Sequence, residues 1–275
     1  MKLYRHFYLG YNMNLKFTKM AASGNDFVVA RLKAKKQSLA TLARKVCDRK
    51  FGIGADGLLI LEKSKRADIK MRIFNADGSE AKMCGNGARC VALLTGKKKV
   101  SIETKAGIIA SVVSNNNVKI KLTHPKGIKL DIPIKINSRP LKLNFINTGV
   151  PHAVIFVEGI DKIDVVDLGR QIRYHKAFLP EGANVDFVEV LNNNSIKVRT
   201  YERGVEDETL ACGTGAVAAV LLYAIRYTLY ATQKVNVCTK SGEVLKVYFE
   251  RKNNGFRNVW LEGRVSIVCK GVYYV

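Results

Sequence analysis

One short pattern occurs twice in this chain of 275 residues, and each copy joins a strand-like segment to a helix-like segment. In the first copy, residues 71–75 (MRIFN) lead through a polar turn to residues 84–88 (CGNGA). In the second copy, residues 198–202 (VRTYE) lead through a similar turn to residues 212–216 (CGTGA). The spacing is nearly equal, because 71 to 84 is 13 residues and 198 to 212 is 14 residues. The repeat therefore predicts two similar halves, each with one strand, one loop, one cysteine and one helix.

A second, weaker echo joins residues 24–28 (GNDFV) to residues 184–188 (NVDFV), which supports the same division into halves. The boundary between the halves is expected near residues 128–140, where Pro133 and Pro140 lie. The predicted organisation is an N-terminal extension over residues 1–13, a first half formed by residues 14–132 and 263–275 and carrying Cys84, and a second half formed by residues 133–262 and carrying Cys212.

The hydrophobic pattern predicts many short strands and few helices. Fourteen alternating or apolar runs between residues 15 and 268 have the character of strands. The helix candidates are residues 38–48, 88–94, 166–174 and 216–230. Many strands with a few buried helices predict the α+β class rather than a doubly wound parallel sheet.

The net charge of +23 raises the question of nucleic acid binding. The basic residues are scattered along the chain, no basic run alternates with aromatic residues, and no zinc-finger or RNP1 pattern is present. Nucleic acid is therefore not expected as a partner.

A membrane location is not expected either. The longest apolar stretch, residues 210–225, is shorter than the roughly 20 residues that a membrane-spanning helix needs. The N-terminus has no uninterrupted apolar segment of the kind found in a signal peptide. Six cysteines are too few for a disulfide framework in a chain of this length, so reduced thiols and a cytoplasmic location are predicted.

Both copies of the repeat place a cysteine and two glycines at the start of a predicted helix. Free backbone N–H groups at a helix N-terminus bind anions such as a carboxylate, and the same positive end of the helix favours a thiolate. Two sulfurs on opposite sides of one carbon, one a thiolate and the other a thiol, can remove a proton from one face and deliver a proton to the other. This chemistry needs neither pyridoxal phosphate nor a metal, and it makes Cys84 and Cys212 the candidate acid/base pair.

Other interpretations of these residues are less specific. A cysteine is usually a small buried apolar residue, which is the interpretation for Cys47, Cys90, Cys238 and Cys269. No metal site is expected, because Cys84 and Cys90 are six residues apart and no C-x-x-C pattern exists. Residues 52–57 (GIGADG) match the glycine spacing of a dinucleotide fingerprint, but a charged helix precedes them and a strand follows, which is the reverse of what that fingerprint requires. His152 is either structural or, near the two thiols, able to tune their pKa.

Several longer motifs resemble those of the diaminopimelate epimerase family. They extend over most of the chain, from about residue 17 to residue 268. The motifs are residues 19–20 (KM), 23–27 (SGNDF), 51–57 (FGIGADG), 72–80 (RIFNADGSE), 83–90 (MCGNGARC), 147–152 (NTGVPH), 181–185 (EGANV), 199–204 (RTYERG) and 208–215 (ETLACGTG).

The resemblance implies a fold of two pseudo-symmetric α/β domains, each a curved mixed sheet around a central helix. It implies a cofactor-independent enzyme that interconverts LL- and meso-2,6-diaminopimelate, in lysine and peptidoglycan precursor biosynthesis, with Cys84 and Cys212 as the acid/base residues. Family members are often homodimers, so a homodimer that binds a small-molecule substrate is expected.

The resemblance also implies roles for further residues. Gly85 and Asn86, together with Gly213 and Thr214, would form the cradle for the carboxylate at the reacting carbon. The positions that match substrate-binding residues are Asn25, Asn75, Asn184, Glu202 and Arg203, and the positions that match residues adjusting the thiols are His152 and Glu202. The guanidinium of Arg203 suits the distal carboxylate, because its planar fork pairs with a carboxylate through two hydrogen bonds.

Small departures from the family pattern leave alternatives open. Gly57 stands where some members have Gln, and Val150 where some have Asn, so a possible side-chain contact is missing at each position. An epimerase that acts on another cationic amino acid or on a hydroxyproline, with the same two-cysteine chemistry, is the second hypothesis. A non-catalytic amino-acid binder is the third.

Overall fold

The computed structural model of the protein describes residues 14–32, 38–227, 232–252 and 255–274. Contacts between Cα atoms divide these residues into two compact units. The first unit holds the residues up to Asn116 together with those from Val265 onward, and the second holds Asn117–Arg264. The predicted extension over residues 1–13 lies outside the described residues.

The described residues form eighteen strands and four α-helices, which confirms the α+β prediction. The strands are β1 (Asn14–Ala22), β2 (Asn25–Ala30), β3 (Gly57–Glu62), β4 (Ile69–Asn75), β5 (Glu80–Ala81), β6 (Lys99–Thr104), β7 (Gly107–Ser114), β8 (Asn117–Lys121), β9 (Lys126–Ile136), β10 (Arg139–Asn147), β11 (Pro151–Phe156), β12 (Asn184–Asn192), β13 (Ser195–Glu202), β14 (Asp207–Thr209), β15 (Thr232–Cys238), β16 (Val244–Lys252), β17 (Gly255–Arg264) and β18 (Ser266–Tyr274). The helices are α1 (Leu39–Cys47), α2 (Gly85–Leu94), α3 (Val165–Arg173) and α4 (Gly213–Arg226).

The first unit is a mixed sheet with a buried helix. Strand β1 pairs antiparallel with both β18 and β2, and β2 pairs parallel with β3. Strand β4 is antiparallel to β3 and β5 and parallel to β6, which in turn is antiparallel to β7. Helix α2 packs against β1, β2, β4, β6 and β7, and its residues 86–92 are all buried. An apolar helix that is enclosed in this way forms the centre of the unit.

The strands of the second unit pair in the same order as those of the first unit. Strand β10 is antiparallel to β9 and β11, and β11 is parallel to β12. Strand β13 is antiparallel to β12 and β14 and parallel to β15, which is antiparallel to β16. Helix α4 follows β14 as α2 follows β5, and its residues 215–224 are buried. The prediction of two similar halves, each a mixed sheet around a central helix, is therefore confirmed, with residues 71–75 on β4 and residues 198–202 on β13.

The second sequence echo does not mark equivalent positions. In the order of pairing, β2 corresponds to β11, and β3 corresponds to β12. Residues 24–28 therefore precede and begin β2, whereas residues 184–188 begin the counterpart of β3. The two segments are similar because β2 and β12 are both mostly buried strands, and burial selects the same Phe and Val residues in each.

Residues 128–140 form part of a hairpin rather than a linker between the halves. Strands β9 and β10 pair across this segment, with Pro140 opposite Lys135 and Lys142 opposite Pro133. Proline is tolerated there because β9 pairs only with β10 among the described strands, so its other edge needs no N–H donor. The division between the units falls at 116/117 and 264/265 instead of the expected 132/133 and 262/263, because β8 pairs with β17.

A close contact between α3 and β13 gives the first prediction. An added Cβ at Gly169 would lie 2.5 Å from Cβ and 2.8 Å from Cγ of Tyr201, which is fully buried. We expect Gly169→Ala to lower the free energy of unfolding by about 1–3 kcal/mol, because α3 must move away from the sheet. Urea denaturation measures the change. The control is Gly255→Ala, where no heavy atom lies within 4 Å of the added Cβ, and an equal loss in both variants would contradict the prediction.

Candidate active site

Cys84 is the N-cap residue of α2. Its backbone is extended, with φ −142° and ψ 121°, and its Sγ accepts a hydrogen bond from the backbone N–H of Gly87 at 3.4 Å. Helix α2 begins at Gly85, three residues before the predicted start, so the CGNGA motif is the cap and first turn of the helix. A sulfur at this place receives the unpaired N–H groups of the first turn, which stabilise a thiolate.

A chain of hydrogen bonds holds two of the predicted substrate-binding amides of the first unit. The buried Arg89 donates from Nη2 to Oδ1 of Asn86 at 2.6 Å and to Oγ of Ser23 at 2.9 Å. Asn86 then donates to Oδ1 of Asn25 at 2.7 Å, and Asn25 donates to Oδ2 of Asp56 at 3.0 Å. Asn25 and Asn86 are thus brought together in fixed orientations. The guanidinium of Arg89 fixes one end of this chain of hydrogen bonds, and the carboxylate of Asp56 fixes the other.

Asn75 lies at the end of β4 and is exposed. Its amide donates to Oγ of Ser79 at 2.9 Å in the turn that connects β4 to β5. This contact keeps the side chain within its own turn and does not join it to Asn25 or Asn86.

Cys212 is the N-cap residue of α4, the place that Cys84 occupies in α2. It is buried, and its Sγ lies 3.4 Å from Oγ1 of Thr214. Burial raises the pKa of the Cys212 thiol, and the nearby carboxylates of Glu202 and Asp186 raise it further. Thr214 and the backbone N–H of Gly215 oppose this only in part. The thiol form of Cys212 is therefore the favoured form at neutral pH.

Glu202 ends β13 beside the start of α4. Burial raises the pKa of its carboxyl group, and the negative charge of Asp186 adds to the shift, while the nearby hydroxyl group of Thr209 opposes it. A carboxyl group of raised pKa near a thiol has the character expected of a proton-handling residue.

A second polar network lies under the start of α4. Nδ1 of His152 is 2.7 Å from Oδ2 of Asp186, and neither side chain is accessible to solvent. The hydroxyl of Thr200 donates to the other oxygen of Asp186 at 2.7 Å. Nε2 of His152 is 3.4 Å from Nδ2 of Asn184, whose Oδ1 accepts the backbone N–H of Arg203 at 2.7 Å. The structure thus brings three predicted site residues, His152, Asn184 and Arg203, into one network.

The remaining predicted residues of the second unit lie close by. Gly213 and Thr214 form the first turn of α4, and the hydroxyl of Thr148 donates to the backbone carbonyl of Thr214 at 3.0 Å. The guanidinium of Arg203 donates to the carbonyl of Glu181 at 3.1 Å and is partly exposed. The loop that carries Thr148 therefore supports the turn beside Cys212.

The charges next to the two helix starts differ in sign. A buried guanidinium, Arg89, lies one turn inside α2 and is not accessible to solvent. Two carboxyl groups, Asp186 and Glu202, lie near the start of α4. The two cysteines therefore occupy equivalent places in the fold but different electrostatic surroundings.

Residues 17–127 and 144–268 match the sequence profile of the family described as diaminopimelate epimerase. The chain belongs to the diaminopimelate epimerase family. A family member from Aquifex aeolicus, named diaminopimelate epimerase, is 41% identical over 280 residues, which cover 94% of this chain and 97% of that protein. A member of the same name from Archaeoglobus fulgidus is 42% identical over 256 residues, which cover 86% of this chain and 89% of that protein.

Solved structures of proteins with low sequence identity to this chain share its fold. The phenazine biosynthesis protein of the PhzF family from Bacillus anthracis superposes with a TM-score of 0.73 at 18% identity, over 96% of this chain and 100% of that chain. The hydroxyproline epimerase from Agrobacterium vitis superposes with a TM-score of 0.71 at 16% identity, over 96% and 94% of the two chains. Both confirm the α+β fold.

The part of the chain that the structure describes holds neither a membrane-spanning helix nor a metal-binding cluster. None of the helices placed by the structure is long and apolar enough to span a membrane. Among the same residues, no three or more His, Cys, Asp or Glu side chains are grouped so that they would hold a metal ion.

The surroundings of Cys212 give the second prediction. Glu202→Gln removes a carboxyl group that raises the pKa of the Cys212 thiol, so we expect this thiol to react with iodoacetamide at lower pH than in the unchanged protein. Peptide mass spectrometry of the Cys212-containing fragment across a pH series measures the midpoint. Glu250→Gln, on β16, is the control and is expected to leave the midpoint in place. A midpoint that stays constant in Glu202→Gln would contradict the assignment of the shift to this carboxyl group.

Proposed function

We propose that this chain interconverts LL- and meso-2,6-diaminopimelate by a two-base mechanism. The observation that carries the proposal is the equivalence of Cys84 and Cys212, each the N-cap of the central helix of its unit. The thiolate of one cysteine takes the Cα proton and becomes a thiol, and the thiol of the other gives its proton to the opposite face and becomes a thiolate. The number of protons and charges is unchanged, so the reaction runs in both directions.

The carbanion formed at Cα needs stabilisation, because the Cα–H of an amino acid is a very weak acid. The first turns of α2 and α4, with Gly85 and Asn86 in one and Gly213 and Thr214 in the other, offer backbone N–H groups to the adjacent carboxylate. Donors that point to the place where negative charge develops lower the barrier most. In this proposal no cofactor takes part.

The distal end of the substrate carries a second amino-acid head group. Asn25, Asn75, Asn184, Glu202 and Arg203 are proposed to bind it or to orient the substrate as a whole. Asn25 and Asn184 have amides whose orientation is fixed by neighbouring groups, which supports a binding role, since fixed donors and acceptors cost little ordering energy when a ligand binds. The partly exposed guanidinium of Arg203 suits the distal carboxylate.

The names of the relatives support lysine and peptidoglycan precursor biosynthesis as the setting of the reaction, and we propose a cytoplasmic homodimer. Sedimentation velocity of the purified chain, at several concentrations, tests the dimer. A single species with the mass of one chain, 30.6 kDa, would contradict it.

Proton exchange in heavy water tests the reaction and the substrate together. With LL-2,6-diaminopimelate we expect deuterium to enter at one Cα while the meso form accumulates, both followed by NMR and chiral chromatography. A panel of lysine, ornithine, arginine and trans-4-hydroxy-L-proline separates the alternatives. Exchange only with one of these amino acids would assign a different epimerase, and binding without exchange of any of them would indicate a non-catalytic binder.

A further inference from the structure

We propose that Asp186 is a positioning residue for the reaction. It fixes His152 in the tautomer that carries its proton on Nδ1, and His152 in turn orients the amide of Asn184. The tautomer follows from the geometry of this network alone. The consequence for substrate binding rests on the function proposed above, in which Asn184 contacts the substrate.

The orientation of the Asn184 amide is set by the backbone N–H of Arg203. The backbone N–H of Arg203 can only donate, so the Asn184 atom 2.7 Å away is the oxygen. The other end of this amide is therefore the NH2 group, and it faces Nε2 of His152 at 3.4 Å. Nε2 must then accept, because an NH2 group has no lone pair to offer.

A neutral imidazole with an acceptor at Nε2 carries its proton on Nδ1. Nδ1 lies 2.7 Å from Oδ2 of Asp186, which accepts this proton in a hydrogen bond. The other oxygen of this carboxylate, Oδ1, accepts a hydrogen bond from the hydroxyl of Thr200 at 2.7 Å. In the network that runs from Thr200 to Arg203, each hydrogen-bond donor thus faces an acceptor.

A buried carboxylate must be compensated, and Asp186 is not accessible to solvent. Two hydrogen bonds satisfy its oxygens, and its Oδ1 lies against the first turn of α4, where an added Cβ at Gly215 would overlap it. The positive end of a helix stabilises an anion at this place. Both oxygens of Asp186 therefore act as hydrogen-bond acceptors within this network.

The alternative tautomer would reverse the network. With its proton on Nε2, His152 would point a donor at the NH2 group of Asn184, and the amide would have to turn over. The NH2 group would then face the backbone N–H of Arg203, again a donor against a donor. The carboxylate of Asp186 prevents this reversal, because it requires a proton on Nδ1. Asp186 was not among the residues singled out by the sequence, and it acts through His152 and Asn184 without touching the substrate itself.

Nitrogen-15 NMR of the histidine rings tests the tautomer without any assay of activity. The chain has four histidines, so the signals of His152 are identified by their loss in His152→Gln. We expect Nδ1 to have the shift of a protonated nitrogen and Nε2 that of an unprotonated one. In Asp186→Asn, and more weakly in Thr200→Val, we expect the Nε2-protonated form to gain population, whereas Thr200→Ser keeps the hydroxyl and the original tautomer. A ring of His152 that is protonated only on Nε2 in the unchanged protein would overturn the proposal.

Kinetics test the consequence for binding. In Asp186→Asn we expect KM for LL-2,6-diaminopimelate to rise about tenfold or more, with a smaller fall in kcat, because a contact made in both the ground state and the transition state is lost. A residue that serves only stability would lower the active fraction and leave KM unchanged. An unchanged KM together with an unchanged tautomer in Asp186→Asn and Thr200→Val would also overturn the proposal. No turnover of diaminopimelate by the unchanged protein would instead refute the proposed function, and the NMR result would still decide the tautomer.

Discussion

Cys84→Ser and Cys212→Ser are each expected to lower kcat for LL-2,6-diaminopimelate by about 10²- to 10⁴-fold, the usual contribution of an acid/base group. A serine hydroxyl is a far weaker acid than a thiol at neutral pH, so it neither supplies a base nor delivers a proton at a useful rate. The fold is expected to survive, since both cysteines are N-cap residues with extended backbone, and serine is among the most favourable N-cap residues. Chiral chromatography of the product measures the rate, and circular dichroism verifies folding.

The chain offers a matched control for this experiment. Cys269 is exposed on β18, so the expectation that it is a buried apolar residue is wrong. It lies away from both helix starts in the sequence, and Cys269→Ser is expected to keep full activity. Sulfur is thus replaced by oxygen at a position that takes no part in the proposed mechanism. Activity within a few-fold of the unchanged protein in Cys84→Ser or Cys212→Ser would refute the two-thiol mechanism.

The sequence predicts the positions of the central helices well, because the Cys-Gly-x-Gly-Ala motif is a local signal that acts within one turn. It predicts their first residues less well. Gly85 and Gly213 are already helical, although glycine inside a helix is unfavourable by roughly 1 kcal/mol relative to alanine. The structure gives the reason for two of the glycines: side chains that come from distant strands press against Gly87 and Gly215.

The sequence does not predict three strands whose structure depends on long-range pairing. Residues 126–136 form β9 despite Pro133, and the short strands β5 and β14 have two and three residues. A proline and a short run carry no local strand signal, so pairing with β10, β4 and β13 decides their structure.

In the candidate site, too, the contacts between residues distant in the sequence are not predicted. The resemblance to a family identified Cys84, Cys212 and the amides, but it did not identify Arg89, Asp56, Asp186 or Thr200, on which those amides depend. The His152–Asp186 pair joins residues 34 positions apart, and the Arg89–Ser23 pair joins residues 66 apart. One clue lies in the sequence, since Arg89 stands inside an apolar helix, where a charged residue needs a buried partner. No local pattern gives the direction in which an amide points.

The two central helices contain a pair of glycines at equivalent positions but with different neighbours. Gly87 in α2 and Gly215 in α4 occupy the same position after their cysteines. An added Cβ at Gly87 would lie 3.2 Å from a terminal methyl group of Leu59, so this side chain would have to shift by only a few tenths of an ångström. An added Cβ at Gly215 would overlap Oδ1 of Asp186 and lie 3.2 Å from Oγ1 of Thr200. These two oxygens are joined by a buried hydrogen bond of 2.7 Å, which displacement of either atom alone would strain.

We therefore expect Gly215→Ala to lower the free energy of unfolding by about 2–4 kcal/mol, from overpacking together with the loss of buried hydrogen bonds. Gly87→Ala should stay within about 1 kcal/mol of the unchanged protein, because the gain in helix propensity offsets the displacement of Leu59. Chemical denaturation of both variants in parallel measures the difference. Equal stability of the two variants would mean that the carboxylate of Asp186 is free to move away from the first turn of α4. In that case a rigid Asp186 would not be what holds His152 and Asn184 in place.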